Sequence, residues 1–203
     1  MQLTIPIPDS QKAVRLPPGI LDGNEEEFFR FCQANAELRV ERSADGVIIV
    51  MSPAGGYASF QSLKVASELY AWAFKDGSGI AFDSSAGFCL PNGAMRSPDA
   101  AWVRLSRLKE LSRRQKQRFM PLCPDFLIEV ASPADELGVL RKKMDEYRAV
   151  GLQLGWLILP ESRQVEIHSP SGVEIQVSPD TLSGYPILPG FTLELGLIWN
   201  PPF

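Results

Sequence analysis

Histidine is almost missing: His168 is the only one in 203 residues. That excludes a metal site built on several imidazoles, and His168 itself, in VEIHSP, reads as a strand-end residue and not as a ligand or a base. Cysteine is scarce too. Cys32, Cys89 and Cys123 fall at no metal-ligand spacing and are odd in number, so they read as buried thiols in a reducing compartment, and the expected location is cytoplasmic. No apolar run approaches the 18 or so residues of a membrane span. The opening MQLTIPIPDSQKAVRLP lacks the positive start and apolar run of a secretory signal. Positive charge is also in deficit. A net charge of −4 argues against a protein that coats nucleic acid indiscriminately. No linker, repeat or low-complexity tract interrupts the chain. What is present, 45% hydrophobic and 22% charged residues, is enough to bury one good core.

The acids carry the chemical signal. SPDAAWV holds Asp99, and CPDFLIEVASP holds Asp125 and Glu129. Side chains alternate along a strand, so Asp125, Leu127, Glu129 and Ala131 share one face and Phe126, Ile128 and Val130 the other. Glu129 is thus a carboxylate inside FLIEVA, a run that otherwise reads as a buried strand. An ionised acid is costly to bury without a partner or a metal. Two readings stay open: a metal ligand, or an acid at a strand end paired with a nearby Arg or Lys.

A lysine follows on a helix. Leu137, Leu140, Met144 and Tyr147 form one apolar stripe between Asp135 and Val150, with Pro133 and Asp135 at its start and Gly151 at its end. At about 100° per residue, Lys143 lies roughly 60° from Leu140, while Lys142 lies roughly 160° away and faces water. Lys143 can therefore reach the sheet along its apolar stem, or simply snorkel at the helix margin. Two carboxylates and one lysine are the minimum set for holding Mg²⁺ (or Mn²⁺) against a phosphate.

The rest of the chain supplies a frame. NEEEFFRFCQAN reads as a helix capped by Asn24, LRVERSADGVIIVMS as a hairpin, and Ala58 to Lys75 as a helix whose stripe is Leu63, Tyr70 and Phe74. IAFD, GFCL, WLILP, VEIH and VEIQV are expected strands. Between Arg104 and Arg118 seven basic residues face one acid, Glu110. This segment, expected as one helix from about Leu105 to Phe119, offers Arg104, Arg107, Arg113 and Arg114 as candidate nucleic-acid contacts; a solvated helix face is the plainer alternative. Strand, helix, strand alternation with hairpins around it gives an α/β chain with a mixed sheet flanked by helices.

The run LPNGAMRSPDAAWV, the PDFLIEVASP strand, a lysine four residues before a tyrosine, and GLQLGWLILP together resemble the Uma-type restriction-endonuclease family, also called domain-of-unknown-function family 820, within the PD-(D/E)XK nuclease superfamily. The resemblance runs from about Leu38 to LPGFTL. It implies a restriction-endonuclease-like single domain over residues 38–203 after an N-terminal extension and helix over 1–37. It implies Asp99 and Glu129 as metal ligands and Lys143 as the catalytic lysine. The superfamily lysine usually stands two residues after the second acid, where this chain has Ala131, so by resemblance the lysine has moved to the helix. The helix after GGYA reads SFQ where many members carry His or Asn. Asp125 and Glu68, an acid of that helix, are candidate auxiliary residues. The expected function is a Mg²⁺-dependent endonuclease acting on DNA, as a homodimer with one site per strand. The alternatives are a non-catalytic nucleic-acid or protein-binding module on the same fold, and a metal-dependent hydrolase of another substrate.

Overall fold

The structure, a computed structural model, describes residues 25–203 except Ser52 and Ala134, together with the backbone strand Ala13–Leu16. The N-terminal opening, and Asn24 as a helix cap, lie outside the described residues. The chain first lays down a hairpin layer. β1 (Ala13–Leu16) runs beside β3 (Ile48–Met51), and β3 pairs with β2 (Arg39–Arg42) across a turn in which Gly46 takes a φ of +84°. The acid-rich helix α1 (Glu25–Ala34) buries Phe28 against Ile48, Val50, Cys89 and Met95 under this layer. α2 (Gly56–Asp76) then crosses to the second layer.

That second layer is a six-stranded sheet. After β4 (Gly79–Asp83), the two-residue strands β5 (Phe88–Cys89) and β6 (Met95–Arg96) return to the hairpin layer, giving it the order β1-β3-β2-β6-β5. β7 (Ala100–Arg104) is followed by two short helices, α3 (Leu105–Glu110) and α4 (Arg113–Lys116). The basic segment is thus not one helix. It breaks at Leu111, and Ser112 and Gln115 form a capping box that starts a new one. β8 (Phe126–Val130) follows, then α5 (Leu137–Ala149) and β9 (Leu154–Leu159). β10 (Gln164–Ser169) and β11 (Gly172–Val177) complete the order β11-β10-β9-β8-β7-β4. Within this sheet β8 and β9 pair in parallel and the other described neighbours antiparallel, so the β8–β9 connection must cross over, and α5 is that crossover. A small pair, β12 (Thr181–Ser183) with β13 (Thr192–Glu194), and the one-turn helix α6 (Gly196–Trp199) close the chain.

Two cores lie on the two faces of the six-stranded sheet. On one, Val65, Leu69 and Ala73 of α2 pack on Trp102, Phe126, Ile128 and Trp156, with Phe191 stacked on Trp156 at 5.7 Å. On the other, Met144 and Tyr147 of α5 pack on Leu127, Leu157 and Ala101. All five residues of β8 are buried, as a central strand covered on both faces requires. Gly155 sets how close α5 sits to β9: a Cβ there would stand 2.8 Å from the Met144 methyl and 2.7 Å from Leu152. α5 begins at Leu137, later than Asp135, because Asp135 is used in a turn that accepts the Ser132 N–H and hydroxyl, each at 2.7 Å. Gly151, at a φ of +114°, ends that helix. The stripe expected on α2 is corrected. Leu63, Tyr70 and Phe74 are 67%, 61% and 78% exposed, and the buried stripe is Gln61, Val65, Leu69 and Ala73.

Candidate active site

Lys143 sits on α5 next to Met144 and one turn before Tyr147, the two residues that anchor the helix in the core. Anchoring from both sides carries the lysine stem under the surface, and only 11% of its side chain is exposed. Its Nζ lies 2.7 Å from Glu129 Oε1 and 2.9 Å from Glu41 Oε1. The Tyr147 hydroxyl donates to the same Glu129 oxygen at 3.3 Å. Glu41 comes from β2, in the other sheet, and is itself held: it accepts the Ser97 N–H at 2.9 Å and Arg96 Nη1 at 3.1 Å. Arg96 Nε donates to Glu146 Oε2 at 2.7 Å, and Asn92 Nδ2 to the other Glu146 oxygen at 3.2 Å.

Burial and pairing push these groups apart in acidity. Burial raises Glu129 to about 7: Lys143 opposes the rise, while Asp99 and Glu41 add to it. Glu41 is just as buried, but Lys143, Arg96 and the Ser97 N–H outweigh desolvation and hold it below the ordinary carboxyl range. Burial alone would lower Lys143; Glu129 and Glu41 more than reverse that and keep it charged well above neutrality. Burial and the same carboxylates raise Tyr147, so its hydroxyl stays a donor.

Asp99 stands just before β7. Its Oδ1 accepts the Ser62 hydroxyl of α2 at 3.0 Å and its Oδ2 the Val130 N–H at 2.9 Å. Ala100 faces Ile128 across the β7–β8 ladder, so one further antiparallel step sets Asp99 across from Glu129. The three residues singled out from sequence therefore converge at one end of the central strands. Glu41, Glu129 and Glu146 share Lys143 and Arg96 there, and Asp99 stands close enough to Glu129 to push its pKa further up. Among the described residues no three His, Cys, Asp or Glu side chains form a ready cage for a metal. A Mg²⁺ site needs only one or two carboxylates, with water and substrate phosphate for the rest, and Asp99 with Glu129 fits that donor set.

The model of the Uma2 family, described as a putative restriction endonuclease, matches residues 25–196. The chain belongs to the Uma2 family. A crystal structure of a protein from Anabaena variabilis ATCC 29413, described as a putative nuclease belonging to DUF820, is similar over 80% of this chain and 90% of its own, with a TM-score of 0.66 and 20% identity. That likeness establishes the fold: a mixed sheet flanked by helices in one domain. No curated protein matches the chain.

The remaining candidates of this Uma2 chain lie elsewhere. Asp125 opens β8, four residues and so about 13 Å from Glu129. It is buried, accepts the Arg104 N–H at 2.9 Å and pairs with Arg107 at 3.1 Å. Those contacts tie β7, β8 and α3 together at the opposite end of the strands from the lysine. Arg107 also donates to the Cys123 carbonyl at 2.9 Å, and Arg104 lies 5.8 Å over the Trp102 ring. Arg113 is exposed on α4, and Arg114 pairs with Glu26 at 3.2 Å. Arg114 lines a cleft of about 560 Å³ with Phe29, Arg42 and Arg118 that does not include Asp99, Glu129 or Lys143. Glu68 pairs with Lys64 along α2; Ser62 is the residue of that helix that meets Asp99. Sequence reasoning missed Glu41, Arg96, Glu146 and Ser62. Glu146, one turn from Lys143 on the same helix face, carried a usable signal, and so did Glu41, alternating with Val40 in a half-buried strand. Among the described residues no helix is long and apolar enough to cross a membrane.

Proposed function

We propose that this protein is a Mg²⁺- or Mn²⁺-dependent endonuclease that hydrolyses DNA phosphodiester bonds, with Asp99 and Glu129 as metal ligands and Lys143 as the catalytic lysine. The observation that carries the reading is the crowding of acids beside Lys143: Glu41 and Glu129 both contact its ammonium, and Asp99 lies across the ladder from Glu129. Membership of a family described as a putative restriction endonuclease supports the reaction class. A divalent cation there supplies Lewis acidity toward the phosphate and a more acidic water.

The chain's own groups have separable roles. Ser62 and the Val130 N–H aim the Asp99 carboxylate, so that it is presented without rearrangement. Lys143 remains an ammonium at neutral pH because two carboxylates hold its proton, so it serves as a donor to phosphoryl oxygen or to the attacking water and not as a general base. The Tyr147 hydroxyl fixes one Glu129 oxygen, leaving the other to turn outward. Arg104 ends β7, about 17 Å of strand from Asp99, and Arg107, Arg113 and Arg114 follow it on α3 and α4, so a nucleic acid touching both groups must span the sheet. A duplex is wide enough, and cutting both of its strands calls for a two-fold pair of chains.

The test is cleavage of supercoiled plasmid and of RNA with Mg²⁺, Mn²⁺ or chelator, alongside sizing in solution. Nicking or linearisation that needs the cation, and that vanishes in Asp99→Asn, is the expected result. A well-folded protein that cuts no DNA or RNA with any divalent cation would overturn the reading and leave a binding module on a nuclease fold.

A further inference from the structure

Glu41 has no place in the two-acid, one-lysine scheme, yet it is the most firmly held carboxylate of the site. Three donors converge on it: Lys143 Nζ at 2.9 Å, the Ser97 N–H at 2.9 Å and Arg96 Nη1 at 3.1 Å. It is 3% exposed. A buried lysine facing a buried glutamate is already neutralised by that one partner. A second carboxylate on the same ammonium brings two like charges together, which disfavours both being ionised. It is therefore poorly explained as a device for stability.

It is well explained by what must happen to Lys143. If Glu129 binds a divalent cation through its other oxygen, the charge of the carboxylate is taken up by the cation, and the lysine loses the counter-charge that Glu129 Oε1 offers it at 2.7 Å. A buried charge left without a partner is strongly unfavourable, so the lysine would leave the site or resist the cation. We propose that Glu41 is a positioning residue that retains the Lys143 ammonium while Glu129 exchanges its lysine for a divalent cation. The inference rests on the metal-dependent reading above. Arg96 and Ser97 keep Glu41 from following the lysine toward the cation, and Ser97, two residues before Asp99, ties the same clamp to the approach of the first acid.

Two readouts other than cleavage test this. The first is Mg²⁺ and Mn²⁺ affinity by calorimetry for wild type, Glu41→Gln, Glu41→Asp and Glu146→Gln. Glu41→Gln should bind about 10–100-fold more weakly, as loss of a group that orients a site typically does. Glu41→Asp should recover part of the loss. Glu146→Gln removes the same charge from the cluster without touching Lys143, and should weaken binding less. The second readout is the ¹⁵N ammonium resonance of Lys143 in the wild type, which should persist and shift on saturation with Mg²⁺. It stays informative even if Glu41→Gln fails to fold. Unchanged cation affinity in Glu41→Gln, an equal loss in Glu146→Gln, or disappearance of the Lys143 resonance on Mg²⁺ binding would each overturn the role of Glu41 while leaving the metal site standing. A wild type that binds neither cation overturns the metal reading, and the role of Glu41 falls with it.

Discussion

Lys142 and Lys143 are adjacent in sequence and opposite in circumstance. Lys142 is exposed, whereas Lys143 ends between two buried carboxylates. A margin position on the helix would make Lys143 cheap to truncate, but its partners make it expensive. Lys143→Ala should abolish cation-dependent plasmid cleavage and also lower stability in chelator by about 3–5 kcal/mol, because it leaves the buried Glu129 without its cation and takes one of three donors from Glu41. Lys142→Ala should change neither activity nor, beyond about 0.5 kcal/mol, stability; cleavage assays paired with chemical melts check both. His168 gives a second expectation. It is 2% exposed, with Nε2 3.5 Å from Glu166 Oε2, too far for a well-formed bond, and Glu166 is already taken by Arg141. Burial lowers its pKa, with Glu166 pulling the other way. A depressed folded-state pKa means that the unfolded chain takes up the proton first. The stability held above the ordinary histidine value of about 6.5 should therefore be lost as pH falls through that value and below it. Melting temperature should drop less between pH 8 and pH 5 in His168→Gln than in the wild type. An equal drop would show that the histidine is not the group responsible.

At the level of single elements, legibility followed length. The expected hairpin over β2 and β3, and the strands β8, β9, β10 and β11, have enough alternating or apolar residues to declare themselves. β6, β12 and β13 have two or three residues, too few for a period to register, and they exist because longer neighbours hold them in register. The basic segment misled in another way. Its charge made it look uniform, while the Ser112 and Gln115 pair that restarts the helix was present in the sequence as a spacing of three. α2 misled by its aromatics. Tyr70 and Phe74 stack on each other at 6.2 Å on the water side, and the smaller Val65, Leu69 and Ala73 face the sheet, where Trp102 and Trp156 already fill the space. Leu69→Ala should therefore cost about 2–5 kcal/mol, and Phe74→Ser within about 0.5 kcal/mol of nothing, in denaturant melts. Within the candidate site, Glu129 could be picked out because its charge contradicts an apolar run and Lys143 because its angle lets it reach the sheet, while the role of Asp99 followed from the resemblance carried by SPDAAWV. Glu41 could not be linked to them, since only the folded chain brings it beside Lys143, 102 residues away.

On the scale of the whole molecule, the site is a seam between two sheets. Glu129 and Lys143 belong to the six-stranded layer, while Glu41 and Arg96 belong to the hairpin layer. A cation bound at Asp99 and Glu129 should therefore slow amide exchange in β2 and β6 as well as in β8 and α5. Protection confined to β8 and α5 would show that the hairpin layer takes no part. The β8–α5–β9 crossover also bears on how the chain reaches this state. Tyr147 and Glu129 are 18 residues apart within one strand–helix–strand unit, and Lys143 lies between them, so their contacts close a short loop. Glu41 must close a far longer one, and contacts of large sequence separation form more slowly. The unit should thus collapse with its own internal counter-ion in place, the lysine neutralising Glu129 before the hairpin layer docks. Substitutions at Met144 or Leu157 should slow refolding, whereas Glu41→Gln should act mainly on the unfolding rate. The lysine would then act as a folding partner to the acid long before it could serve a substrate.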